Sequence, residues 1–181
     1  MTANQTGMLT IGYAVTIIAF IRVGEKLLQR YGSRKPMIWG CLITGLSIFM
    51  LMQTHLMLDN YKILAVISYA LFGIGLAFYA TPSTDAALSN LPADQAGAGA
   101  GIYKMASSLG AAFGVAISAA IFTALRGDKG MMISLIDFHG RQDNLVIREA
   151  ALIALGFNLF MVMAAIVSIT ATIPKGKRSE Q

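Results

Sequence analysis

Charge is what this sequence has least of. Asp, Glu, Lys and Arg make up only 13% of its 181 residues, where soluble domains carry about 25%. Cysteine is nearly missing. Cys41 stands alone in an apolar run, which excludes an internal disulfide and reads as an inert buried thiol. The two histidines, His55 and His139, are far apart with no cysteine near either, so no metal centre is expected. Neither a serine–histidine–acid set nor a GxxxxGK[ST] phosphate loop occurs, so the chain does not read as an enzyme, and no cofactor is implied. Residues 1–7 have no basic region and no small-residue cleavage site follows, so no cleavable leader is expected.

What the chain has instead is apolar length. Hydrophobic residues make up 56% and the mean hydropathy is +0.65. Few soluble folds could hide so much apolar surface, so an all-α integral membrane protein embedded in a lipid bilayer is expected. Five apolar stretches approach the roughly 20 residues that a membrane helix needs: 8–23, 36–52, 63–81, 96–125 and 150–173. They form one bundle with no soluble domain. The net charge of +5 is no nucleic-acid footprint, because the basic residues fall between apolar stretches, where they orient the chain. Arg22, Lys26, Arg30, Arg34 and Lys35 follow the first stretch, and Lys175, Lys177 and Arg178 follow the last. The positive-inside rule puts both groups in the cytoplasm of a multi-pass plasma-membrane protein. The N-terminus and the loops 53–62 and 126–149 then lie outside. An outside N-terminus with an odd number of spans raises the expectation of a longer parent chain.

The chain is organised around residues 81–123, and two features stand out in that stretch. Thr81-Pro82-Ser83-Thr84-Asp85 reads as a helix-ending turn. Ala106, Gly110, Gly114 and Ser118 then recur at a four-residue step, a GxxxG pair with small neighbours. In lipid, helices attract through close backbone packing, which small residues permit. That face is either a moving contact of a transporter or plain helix packing.

Outside the small-residue face, several residues are candidates for chemistry. Gly32 is expected to make a left-handed turn and Pro36 to start the next helix. Arg30, Arg34 and Lys35 around that turn can bond helix-end carbonyls, a carboxylate or lipid phosphates. Asp85 and Lys104 are ionisable groups close to apolar stretches, hence either a gate salt bridge or headgroup-level charges. Tyr69, Phe72 and Tyr79 line one stretch and Asn158 is a strongly polar amide deep in another. They suit a cavity for bulky apolar cations, or ordinary packing. No acidic residue lies near the middle of any stretch, so no proton-relay carboxylate is nominated.

Three runs carry a family resemblance. They are Arg22-Val23-Gly24-Glu25-Lys26-Leu27-Leu28-Gln29, Tyr79-Ala80-Thr81-Pro82-Ser83-Thr84-Asp85, and Gly101-Ile102-Tyr103-Lys104-Met105-Ala106-Ser107-Ser108-Leu109-Gly110 with Ala112-Phe113-Gly114-Val115-Ala116 behind it. Together they resemble the C-terminal half of the 14-span drug:proton antiporters of the major facilitator superfamily. The resemblance implies the last five helices of such a pump, with the proton as coupling ion in the full-length family and amphipathic or cationic drugs as substrates. It also implies an N-terminal half as the missing partner. The loop Arg30 to Lys35 resembles a degenerate copy of the family's cytoplasmic gating motif. Gln29 stands where that motif usually has Asp, and Ser33 is an extra residue, so no strong gating salt bridge is implied there. The expected function is a C-terminal portion of a proton-coupled multidrug efflux permease working by alternating access, inactive alone. The alternative is a small membrane interaction protein that assembles through GxxxG faces without transport.

Overall fold

The computed structural model describes residues 3–54, 56, 58–89, 91–127 and 144–174. His55, His139, most of the loop 126–149 and the basic residues Lys175, Lys177 and Arg178 lie outside the described residues. Five helices follow one another: α1 Ala3–Tyr31, α2 Arg34–Leu51, α3 Leu58–Leu88, α4 Ala96–Gly127 and α5 Leu145–Thr172. Each apolar stretch of the sequence falls on one of them. Among the described residues, α3, α4 and α5 are long and apolar enough to cross a membrane.

Local chemistry sets the first turn. Gly32 takes φ 73°, a backbone conformation that only glycine adopts without strain. Its N–H caps the Leu28 carbonyl at 2.9 Å, and α2 restarts two residues later. Pro36 sits in the first turn of α2, where its missing N–H costs nothing.

The second turn expected from the sequence is not there. α3 runs unbroken through Pro82 to Leu88. In lipid a helix that breaks leaves carbonyls with no water to satisfy them, so Pro is carried inside membrane helices with help from Ser and Thr side chains. Here Pro82 is fully buried among neighbouring helices, and Thr84 Oγ1 donates to the Ala80 carbonyl at 3.0 Å. The polar run after Pro82 forms the last turns of α3.

α3 is the central element. It packs closely on α1 and on α2, while α5 bridges α2 and α4, and α3 meets α4 more lightly. The close approaches are made by glycines. A Cβ on Gly40 (α2) would sit 2.6 Å from the Gly75 carbonyl oxygen, and one on Gly75 (α3) would sit 2.8 Å from the Gly40 oxygen. Gly24 likewise faces the Ala77 carbonyl, and Gly73 faces Tyr13. So backbone meets backbone at both faces of α3, which is how membrane helices gain van der Waals attraction. Tyr13 and Phe72 add a tilted ring contact at 5.8 Å. A hydroxyl crosses the α2–α3 seam too: Ser47 Oγ donates to the Ser68 carbonyl at 2.7 Å.

The apolar core is small. Met37, Cys41 and Ile169 form its centre, with Tyr79, Val162 and Ile166 packed around it. Large apolar side chains instead point outward on every helix; Ile18 is 74% exposed and Val115 71%. That is the surface of a lipid-immersed protein, since lipid tails are as apolar as the side chains and give no reason to hide them.

Candidate functional site

A cavity of about 490 Å³ opens between α2, α3 and α5. Ile48, Leu51, Phe72, Leu155 and Met161 give it apolar walls. Thr44, Tyr69 and Asn158 are the polar groups among its lining residues. An apolar cleft of drug size with a few convergent polar groups is what small-molecule sites look like. No ionisable carboxylate lines it, so its walls can hold an amphipathic molecule by shape and hydrogen bonding. They offer no carboxylate to a cation.

Tyr69, Phe72 and Asn158, singled out in the sequence, therefore share one cavity. Tyr79 does not join them. It lies one end further along α3, against Gly40 and the Met37–Cys41–Ile169 core. Thr44 was not legible, because a threonine inside an apolar run carries no sign of the face it occupies.

Asn158 also ties two helices together. Its Nδ2 donates to the Ala154 carbonyl at 3.1 Å, and its Oδ1 accepts from Ser118 Oγ at 3.1 Å. The bond to Ser118 is a polar link between α5 and α4. Asn158→Leu is expected to destabilise that contact by about 1 kcal/mol, the range of hydrogen bonds between membrane helices. Ser118→Ala should cost the same, and the double variant no more than either alone. Unfolding in mixed detergent micelles reads all three.

Polar groups gather at the end of the bundle where α1 and α3 finish. Ser33 Oγ donates to Asp85 Oδ2 at 2.8 Å, joining the α1–α2 turn to the end of α3. Arg34 Nη2 donates to the Thr170 carbonyl at 2.9 Å, a cation on the last turn of α5. Ser83 shares a hydrogen bond with Tyr103, linking α3 to α4. Lys104, next to Tyr103, is exposed. The turn residues Arg30 and Lys35 both lie over the Tyr31 ring. Ser33, the extra residue in the expected loop motif, is thus the one that reaches Asp85. At the opposite end, Tyr61 Oη donates to the Leu51 carbonyl at 3.1 Å, and Arg148 donates to the Thr54 carbonyl.

The small-residue face of α4 lies apart from all of this. A Cβ on Gly110 or Gly114 would meet nothing within 4 Å, and Ala106 is exposed. Only Ser118, at the far end of the row, touches another helix. The expected helix face exists, but among the described residues nothing comes within 4 Å of where a Cβ on Gly110 or Gly114 would sit. The glycines that meet the backbone of another helix are Gly24, Gly40, Gly73 and Gly75 among the described residues, which have no four-residue repeat to reveal them.

Comparison with known proteins agrees with this picture of long apolar helices. The family model of the Major Facilitator Superfamily matches residues 1–181. Quinolone resistance protein NorB of Staphylococcus aureus strain MRSA252 is 47% identical over 135 residues, covering 72% of this chain and 29% of NorB. NorB of strain COL is 40% identical over 171 residues, covering 94% of this chain and 34% of its own length. The chain thus spans about a third of the length of these curated relatives. With its whole length matched and its helices and apolar surface in accord, this chain belongs to the major facilitator superfamily.

Proposed function

We propose that this chain is the C-terminal portion of a multidrug efflux permease, coupled to protons and working by alternating access. The observation that carries the reading is the drug-sized cavity lined by Thr44, Tyr69 and Asn158, in a chain similar to quinolone resistance proteins. In such a pump two bundles rock about a central site. The Ala106–Gly110–Gly114–Ser118 face of α4 would be the moving contact with the other half. Asp85, Lys104, Ser33 and Arg34 would form the gate-end network, and the α1–α2 turn would lie in the cytoplasm. No lining residue of the cavity is acidic, so the coupling carboxylates would be supplied elsewhere in the pump, and the chain alone would not transport.

Exchange into a relative tests this. The chain replaces the matching portion of NorB from strain COL, and both hybrid and isolated chain are expressed in a pump-deficient bacterium. The hybrid should extrude a fluoroquinolone and a cationic dye, and a protonophore should stop it. The isolated chain should extrude neither. A hybrid present in the membrane at normal levels but inactive would overturn the reading. Transport by the isolated chain would refute its dependence on a second half. The open α4 face also favours a second reading, an interaction protein that assembles through that face. Stable homo-oligomers of the isolated chain, lost in Gly110→Leu, would support it.

A further inference from the structure

One face of α2 has the outline of a phospholipid. At its top, the Arg30 guanidinium lies 5.4 Å from the centre of the Tyr31 ring, and the Lys35 ammonium lies 5.6 Å from the same ring. Cation–π contact at these distances keeps both charges beside the same ring. Trp39 meets Tyr31 edge-on at 5.4 Å, so the ring that positions the cations is itself fixed by the indole. Arg30 and Lys35 are both exposed. Among the described residues, neither has a carboxylate partner.

Below them the surface turns apolar. Trp39, Leu42, Leu46 and Phe49 recur at steps of three and four, hence on one helix face with Lys35. They are 39%, 54%, 52% and 53% exposed. From Trp39 to Phe49 the stripe is about 15 Å long at 1.5 Å per residue. That is half of the roughly 30 Å hydrocarbon core, the depth of one leaflet. An indole at the boundary between charge and apolar surface marks the headgroup level.

We infer that this face binds an anionic phospholipid, its phosphate between Arg30 and Lys35 and an acyl chain along Trp39, Leu42, Leu46 and Phe49. A soluble acidic peptide or phosphate ester would use the cations but leave the stripe bare. The lipid occupies both. The assignment of this site to the cytoplasmic leaflet rests on the orientation proposed above; the binding itself does not.

Trp39 is the chain's single tryptophan and reports on the site directly. The purified chain is reconstituted into phosphatidylcholine vesicles, and brominated phosphatidylglycerol or brominated phosphatidylcholine is titrated in to quench its fluorescence. Phosphatidylglycerol should bind with a constant about 25-fold higher, from two cations each worth about fivefold near an anionic headgroup. In the double variant Arg30→Gln/Lys35→Gln the preference should fall to about one, while Arg30→Lys keeps most of it. Far-UV circular dichroism and the Trp39 emission maximum in unbrominated phosphatidylcholine show that the variants are folded. Equal quenching by the two lipids in the parent chain would overturn the assignment, as would a preference that survives the double substitution. Relief of quenching by soluble glycerol phosphate would overturn it in favour of a free phosphate ester. None of these readouts involves transport, so an inactive hybrid pump and an absent lipid preference are separate failures.

Discussion

Gly75→Ala is expected to destabilise this chain by about 2–3 kcal/mol, the upper part of the usual cost of an extra methyl group in a packed contact. The new Cβ would meet the Gly40 carbonyl oxygen at 2.8 Å and would also press on the Thr44 hydroxyl. A hydroxyl can rotate away, but a backbone carbonyl can move only if α2 moves with it. Separating α2 from α3 would loosen the Ser47–Ser68 bond as well. Gly40→Ala should cost a similar amount, because its Cβ would meet the Gly75 oxygen at 2.6 Å. The two changes open the same gap, so the double variant should fall well short of their sum. Gly110→Ala is the control. Its Cβ meets nothing, and alanine favours helix by up to about 1 kcal/mol over glycine. It should be neutral or stabilising in the isolated chain. Unfolding in mixed micelles of denaturing and mild detergent, followed by circular dichroism, gives all four values. A Gly75→Ala variant as stable as Gly110→Ala would refute the glycine seam.

Gly110→Leu/Gly114→Leu is expected to reverse that order of importance when transport is the readout. In the isolated chain both side chains would enter open space, so the fold should survive. In the NorB hybrid the proposal places this face against the other half of the transporter. Two leucines would hold the backbones apart where small residues let them touch. Efflux should fall at least about tenfold, which corresponds to about 1.4 kcal/mol lost from one state of the transport cycle. Protein level in the membrane should not change. Ala106→Ser, a near-isosteric change on the same face, should leave efflux intact. Drug accumulation assays on hybrids of equal abundance decide the matter. Full efflux by the leucine variant would show that α4 does not form the moving contact. The two experiments separate glycines that hold this bundle together from glycines whose partner lies outside it.

The same contrast shows what could be read in advance. Composition alone determined the class of protein. A chain with 13% charge and 56% apolar residues cannot bury its surface in water, and backbone groups in lipid must then form helices. The helices followed from apolar length, and the first turn from Gly32, because a left-handed φ between a basic run and Pro36 has one economical solution. Asn158 was legible as a residue with a partner, since a lone amide in hydrocarbon needs one. That its partner would be Ser118, and that Thr44 would join it and Tyr69 in one cavity, was not.

Sequence patterns also failed at Pro82. The rule that proline ends helices comes from water, where a freed carbonyl finds a solvent partner; in lipid the helix ran on. Which glycines touch was decided by the tertiary structure alone. In a soluble helix an apolar stripe tells the inside from the outside. Here the lipid-facing and helix-facing sides are equally apolar, so periodicity cannot rank them. Gly40 and Gly75 stand in no repeat yet meet backbone to backbone, while Gly110 and Gly114 stand in a repeat and face open space. The same holds for Ser33 and Asp85, which are joined only because α3 continues past Pro82 and brings the carboxylate to the α1–α2 turn.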